Sequence, residues 1–133
     1  MGFGPGNSNE LNANQIGWVR VPYGYRAEMH FASDALYENA ICIYPQYSDQ
    51  KLAERGNYNR SLNDYSTPEN NSNQDEWYRV TGWHKSSPPN GSNPWIVSSI
   101  KVDSPATNQY NFGFEDVGGE DYDDMQCTVN IVQ

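Results

Sequence analysis

Near the end of the chain the sequence runs Met125-Gln126-Cys127-Thr128-Val129-Asn130-Ile131-Val132, with Met125, Cys127, Val129 and Ile131 at every second position. Successive side chains of a strand point to opposite faces, so this alternation suits an extended segment with one face on a core and the other wet. A helix would scatter the same four residues around its circumference. The beat recurs at 25–32, where Tyr25, Ala27, Met29 and Phe31 alternate with Arg26, Glu28 and His30. It recurs again at 76–83, with Trp77, Arg79, Thr81 and Trp83 on one face and Tyr78 and Val80 on the other. Further strands are predicted at 16–22, 95–102 and 109–114, and at 40–44, a wholly apolar run stopped by Pro45 that reads as buried. Pro88-Pro89-Asn90-Gly91 is a turn signal. Seven or eight short strands without a helix predict an all-β fold: a single antiparallel β-sandwich, jelly-roll-like, with an acidic loop at one end.

The chain's 133 residues suit one domain. Its 10 Tyr, 4 Trp, 11 Gly, 8 Pro and 16 Asn favour strands and turns over helices. Residues 1–15 are expected to fray unless the sheet captures them, and 46–75 form a long polar excursion with one helical turn allowed at 51–55. Cys42 and Cys127 each sit in an apolar segment and read as buried thiols, a disulfide being the alternative. His30 and His84 read as surface residues. Tyr23, Tyr25, Trp83 and Trp95 lie near turns where a sugar could stack on them, but core packing is the expectation for each ring. Chance accounts for the Asn-x-Ser triplets at Asn59, Asn70 and Asn90 in a chain this rich in both residues.

Net charge is −9, and six of the 17 acids fall within ten residues: Glu115, Asp116, Glu120, Asp121, Asp123 and Asp124. With no basic stripe, nucleic acid and anionic membrane surfaces are excluded as partners. No apolar run is long enough to insert in a bilayer, and residues 1–6 carry no secretory signal, so the expectation is a cytoplasmic protein or one exported by a non-classical route. The six acids repel one another. A hard cation that takes six to eight oxygens relieves that repulsion, and Gly118-Gly119 lets the backbone bring Glu115, Asp121, Asp123 and Asp124 toward one point. Calcium is therefore the expected cofactor, with a solvated acidic turn as the alternative. The spacing is not that of an EF-hand, and zinc lacks nearby His or Cys.

The string Glu115-x5-Asp121-Tyr122-Asp123-Asp124, followed by an apolar terminal strand, resembles the calcium loop of the fucose- and mannose-binding bacterial lectins. In that family two adjacent calcium ions are held by such acids, and the sugar's hydroxyls coordinate both. The resemblance implies that Glu115, Asp121 and Asp124 are calcium ligands, with Asp123 standing where the family has Asn and Gly119 where it has an Asp ligand. Residues 21–34 resemble the family's second strand and the loop after it. Ser33 would then offer a backbone carbonyl to calcium, while Asp34 and Ala35, together with Asp116 of the acidic loop, would meet the sugar. The family's C-terminal carboxylate reaches the partner's metal site, which implies a homodimer, although this sequence stops one residue sooner at Val132-Gln133. The expected function is calcium-dependent carbohydrate binding. The alternative is a calcium-stabilised structural or adhesive β-domain. Neither a carboxylate pair across a cleft nor a Ser, His and Asp arrangement can be specified, so an enzyme is not expected.

Overall fold

Each period-two segment is a strand in the computed structural model, which describes residues 11–34, 38–57, 61–85, 95–115 and 125–133. In chain order the strands are β1 (Gly17–Val21), β2 (Arg26–Ser33), β3 (Asn39–Pro45), β4 (Ala53–Gly56), β5 (Tyr65–Ser66), β6 (Glu76–His84), β7 (Ile96–Val97), β8 (Ser99–Ala106), β9 (Gln109–Glu115) and β10 (Met125–Val132). One sheet runs β1-β6-β3-β4 with β7 also on β6, and the other runs β5-β2-β10-β9-β8. Every pairing between described strands is antiparallel. The fold is all-β, two antiparallel sheets packed as a sandwich. Among the described residues the only helical piece is a 3-10 turn at Ala13–Gln15.

The alternating residues form the core between the sheets. Ala27 and Met29 of β2, Phe112 and Phe114 of β9, and Met125, Cys127, Val129 and Ile131 of β10 pack with Val19, Val21, Ile41, Ile43, Tyr78 and Val80 of the facing sheet. β3 does not alternate because it is buried on both faces. Cys42 and Tyr44 form a second cluster with Trp83 on its far side, where Leu11, Trp95 and Val97 cover them. Both cysteines are free and buried.

Four sequence expectations are corrected, the first being Tyr23, which stands 55% exposed at the turn before β2 instead of packing in the core. Residues 51–55 are not a helical turn: β4 takes up the open edge of β3, from Ala40 opposite Gly56 to Ile43 opposite Ala53, and tertiary pairing overrides local propensity. The run 95–102 breaks at Ser98, whose N–H donates to the Gly82 carbonyl (2.8 Å) where the chain leaves one sheet for the other. His84 is buried rather than on the surface, because β6 extends to it and places it between Asn39 of β3 and Ile96 of β7.

Side chains at several points tie the excursion between β3 and β6 to the sandwich, among them Thr67, whose Oγ1 accepts from the Ala27 amide (2.9 Å), Asn70 and Arg55. Asn70 is fully buried and donates from Nδ2 to the carbonyls of Val21 (2.9 Å) and Gln74 (2.6 Å), while its Oδ1 accepts from the Ser72 amide (2.9 Å). Arg55 lies near the rings of Phe31 and Tyr65, and its Nε donates to the Asn63 carbonyl (2.7 Å).

Candidate calcium site at one end of the sandwich

Strand pairing brings distant parts of the sequence together at one end. Met125 opposes Ser33 on one side and Phe114 on the other, so β2, β10 and β9 finish side by side. Asp34 follows Ser33, and Glu115 follows Phe114. The acidic segment leaves β9 at Glu115 and returns at Met125, beside Ser33. Of the sequence-predicted site residues, Ser33, Asp34 and Glu115 are thus at the same end of one sheet. Ala35, Asp116, Asp121, Asp123 and Asp124 lie outside the described residues.

Glu115 is the informative member. Only 7% of it is exposed, and its Oε1 has no hydrogen-bond partner among the described residues. Burying a carboxylate without a partner costs several kcal/mol, so such a group is ordinarily matched by a cation or a metal. No three His, Cys, Asp or Glu side chains converge on an ion among the described residues. Five of the six carboxylates outside the described residues, Asp116, Glu120, Asp121, Asp123 and Asp124, follow Glu115 directly in the sequence. Strands lie about 4.8 Å apart, so the backbones flanking β10 are separated by roughly 10 Å. Calcium–oxygen distances of about 2.3–2.6 Å put opposed ligands about 5 Å apart, a gap that side chains and a connecting segment can close. An oxygen-only donor set of this kind suits calcium and not zinc.

The base beneath this end was missed by sequence reasoning. Lys85 lies 3.4 Å from the buried Glu38 carboxylate, donates its amide to the Glu38 carbonyl (3.0 Å), and stacks over Trp95 at 5.0 Å. His84 Nδ1 lies 2.8 Å from Ser98 Oγ, and the Asn39 amide donates to Asn57 Oδ1 (2.8 Å). These contacts fasten the starts of β3 and β8 to the end of β6. Asn39 opens β3 and His84 closes β6, and these polar residues at strand ends are the only signal the sequence carries for this pairing.

No family model and no curated protein matches the chain. Solved structures do match. The C-terminal domain of BC2L-C lectin from Burkholderia cenocepacia aligns with a TM-score of 0.60 at 16% identity, covering 86% of this chain and 93% of that one. The Chromobacterium violaceum lectin CV2L, solved with alpha-methyl-fucoside, aligns with a TM-score of 0.51 at 10% identity over 90% of this chain and 96% of the lectin. The high-affinity mannose-binding lectin of Ralstonia solanacearum aligns with a TM-score of 0.53 at 13% identity, again over 90% and 96%. The chain therefore has the sandwich fold of these bacterial lectins, the structural likeness that the acidic string and the 21–34 segment led one to expect.

Proposed function

We propose that this protein is a calcium-dependent, lectin-like carbohydrate-binding protein. Calcium is held by Glu115 with Asp121, Asp123 and Asp124 and by the Ser33 carbonyl, and sugar hydroxyls complete its coordination, with Asp34, Ala35 and Asp116 around them. The observation that carries the reading is the buried Glu115 oxygen, without a hydrogen-bond partner among the described residues, at the end where Ser33 and both roots of the acidic segment meet. The shared fold with fucoside- and mannose-binding lectins adds support. Coordination supplies the oxygen ligands an ion prefers, and the chain's own residues need only position it and exclude water. No proton transfer is required, so no catalytic group is assigned.

The test is retention on mannose- and fucose-derivatised resin. EDTA is expected to elute the wild type, and Asp121→Ala and Asp124→Ala each to abolish retention in calcium. Retention insensitive to the chelator and to both substitutions overturns the reading. Gly119, standing where the resembled family has an acid, favours a second reading in which calcium only ties the loop. In that case calcium raises the melting temperature through binding to the folded state, yet a glycan array stays blank with and without the ion.

A further inference from the structure

The opposite end of the sandwich carries a cleft of about 340 Å³ between two walls, one formed by Pro45, Gln46, Tyr47 and Ser48, the other by residues 74–78. This volume is at the lower end of the ~300–1,000 Å³ typical of small-molecule sites. Both walls are held in place by buried groups. Arg79, whose side chain is 8% exposed, donates to the carbonyl of Pro45 (3.0 Å from Nη2) and to that of Ser48 (2.5 Å), and its guanidinium lies 5.4 Å from the Tyr44 ring centroid. Asn70 fastens the facing wall through the Gln74 carbonyl. Out of this fixed loop Tyr47 projects with 92% of its surface in solvent, far more than the other exposed large hydrophobics, which range from 39% to 55%. Among the described residues the ring takes no part in the core clusters.

We infer that this cleft is a second, calcium-independent binding site for a neutral saccharide. Its lining decides the ligand class. Asp75 and Glu76 repel anions, and both cations beside the cleft are engaged, Arg20 with Asp75 at 3.2 Å and Arg79 with the wall carbonyls and, at 3.6 Å, with Asp49. Gln46, Gln74 and Ser48 offer donors and acceptors together, which match hydroxyl groups that both give and accept hydrogen bonds. A quaternary ammonium would use none of them. Tyr47 and Trp77 supply flat faces for the C–H side of a pyranose ring, and carboxylates accept from its hydroxyls. Walls fixed in advance spare the ligand the ordering cost that a mobile loop would impose. The assignment is argued from the cleft alone and does not rest on calcium.

The test is nuclear magnetic resonance of the labelled full chain in EDTA, titrated to millimolar levels with methyl glycosides of glucose, galactose, mannose and fucose, with maltose, cellobiose and lactose, and with choline as a cation probe. The expected result is saturable shifts of the Trp77 indole and of the 46–48 amides with at least one saccharide. Tyr47→Ala, at a site exposed enough to leave the fold intact, is expected to weaken that saccharide roughly tenfold or more, the scale on which losing an aromatic anchor weakens binding. Glu76→Gln should weaken it by a smaller factor while leaving the spectrum outside the cleft unchanged. The inference is overturned if no saccharide shifts these signals, if choline alone does, or if Tyr47→Ala binds as the wild type does. The resin test of the calcium end is run in the Tyr47→Ala background, which removes the contribution of this cleft to retention, so that neither outcome decides the other.

Discussion

Gly82 of β6 lies flat against the Phe114 ring across the core. A Cβ built at Gly82 would come 2.5 Å from Phe114 Cγ and 2.7 Å from Cε1, with Cδ1 closer still. Carbon atoms rest about 3.5–4.0 Å apart, so Gly82→Ala requires ring and backbone to separate by roughly 1 Å. Phe114 is fully buried and its backbone is paired on both sides, with Ile100 and with Met125, which leaves it little room to retreat. Overpacking a close-packed interior typically costs ~1–3 kcal/mol, and the upper end applies here. For a chain of this length that is a fall in melting temperature of roughly 10 °C. Urea denaturation of Gly82→Ala, Phe114→Leu and the double variant measures the cost and assigns it. In the Phe114→Leu background the Gly82→Ala penalty is expected to shrink by ~1 kcal/mol or more, the coupling expected of residues in contact. A neutral Gly82→Ala, or the same penalty in both backgrounds, refutes the reasoning. Because Phe114 precedes Glu115, the displaced ring should also weaken calcium uptake at that end.

Glu115→Gln should act with opposite signs: in EDTA it melts at or above the wild type because a buried charge is removed, and in saturating calcium below it because a ligand is lost. The same order in both conditions would contradict the assignment of Glu115. Asn70→Ala should lower stability by ~2 kcal/mol in urea by orphaning the Val21 and Gln74 carbonyls, and a loss under ~0.5 kcal/mol would show those bonds to be dispensable. Burial pushes the Cys127 thiol above its ordinary value of 9.0, and pushes the phenols of Tyr44, Tyr65 and Tyr78 above 10.0. The folded state therefore keeps protons that the unfolded chain releases. Stability should be intact below about pH 9 and then fall, with Cys127 contributing at most about 1.4 kcal/mol per pH unit. Denaturation from pH 8 to 11 should show a shallower fall for Cys127→Ala, and identical slopes would remove Cys127 from the account.

What could be read from the sequence divides along physical lines. β2 and β10 were legible because one face of each meets the core and the other meets water, so period two is written into the residues. β4 was not legible, since what makes 53–56 a strand is the open edge of β3 and not its own composition. The break at Ser98 was hidden because Ile96, Val97 and Ile100 read as one run, while the crossing between sheets is set by the Gly82 carbonyl. His84 was misplaced because a polar residue at a strand end looks wet until its neighbours are known. At the site, Glu115 was legible as one of six acids clustered within ten residues around Gly118-Gly119. Its nearness to Ser33 joins residues far apart in the chain through β10, and no local pattern encodes such a pairing. Only the family resemblance suggested it. The cleft under Tyr47 left no periodic trace, because its walls are irregular segments fixed by single buried side chains.

The measurement that bears most directly on the central claim is a calorimetric titration of calcium into the chelator-treated protein, with and without saturating methyl mannoside or methyl fucoside. If sugar hydroxyls complete the ion's shell, calcium binds in both cases and binds more tightly with the sugar, because coupling between two ligands is reciprocal. Absence of calcium uptake by the folded protein would remove the site. Equal calcium affinity with and without either sugar would leave an ion that only ties the loop, and would contradict the lectin reading.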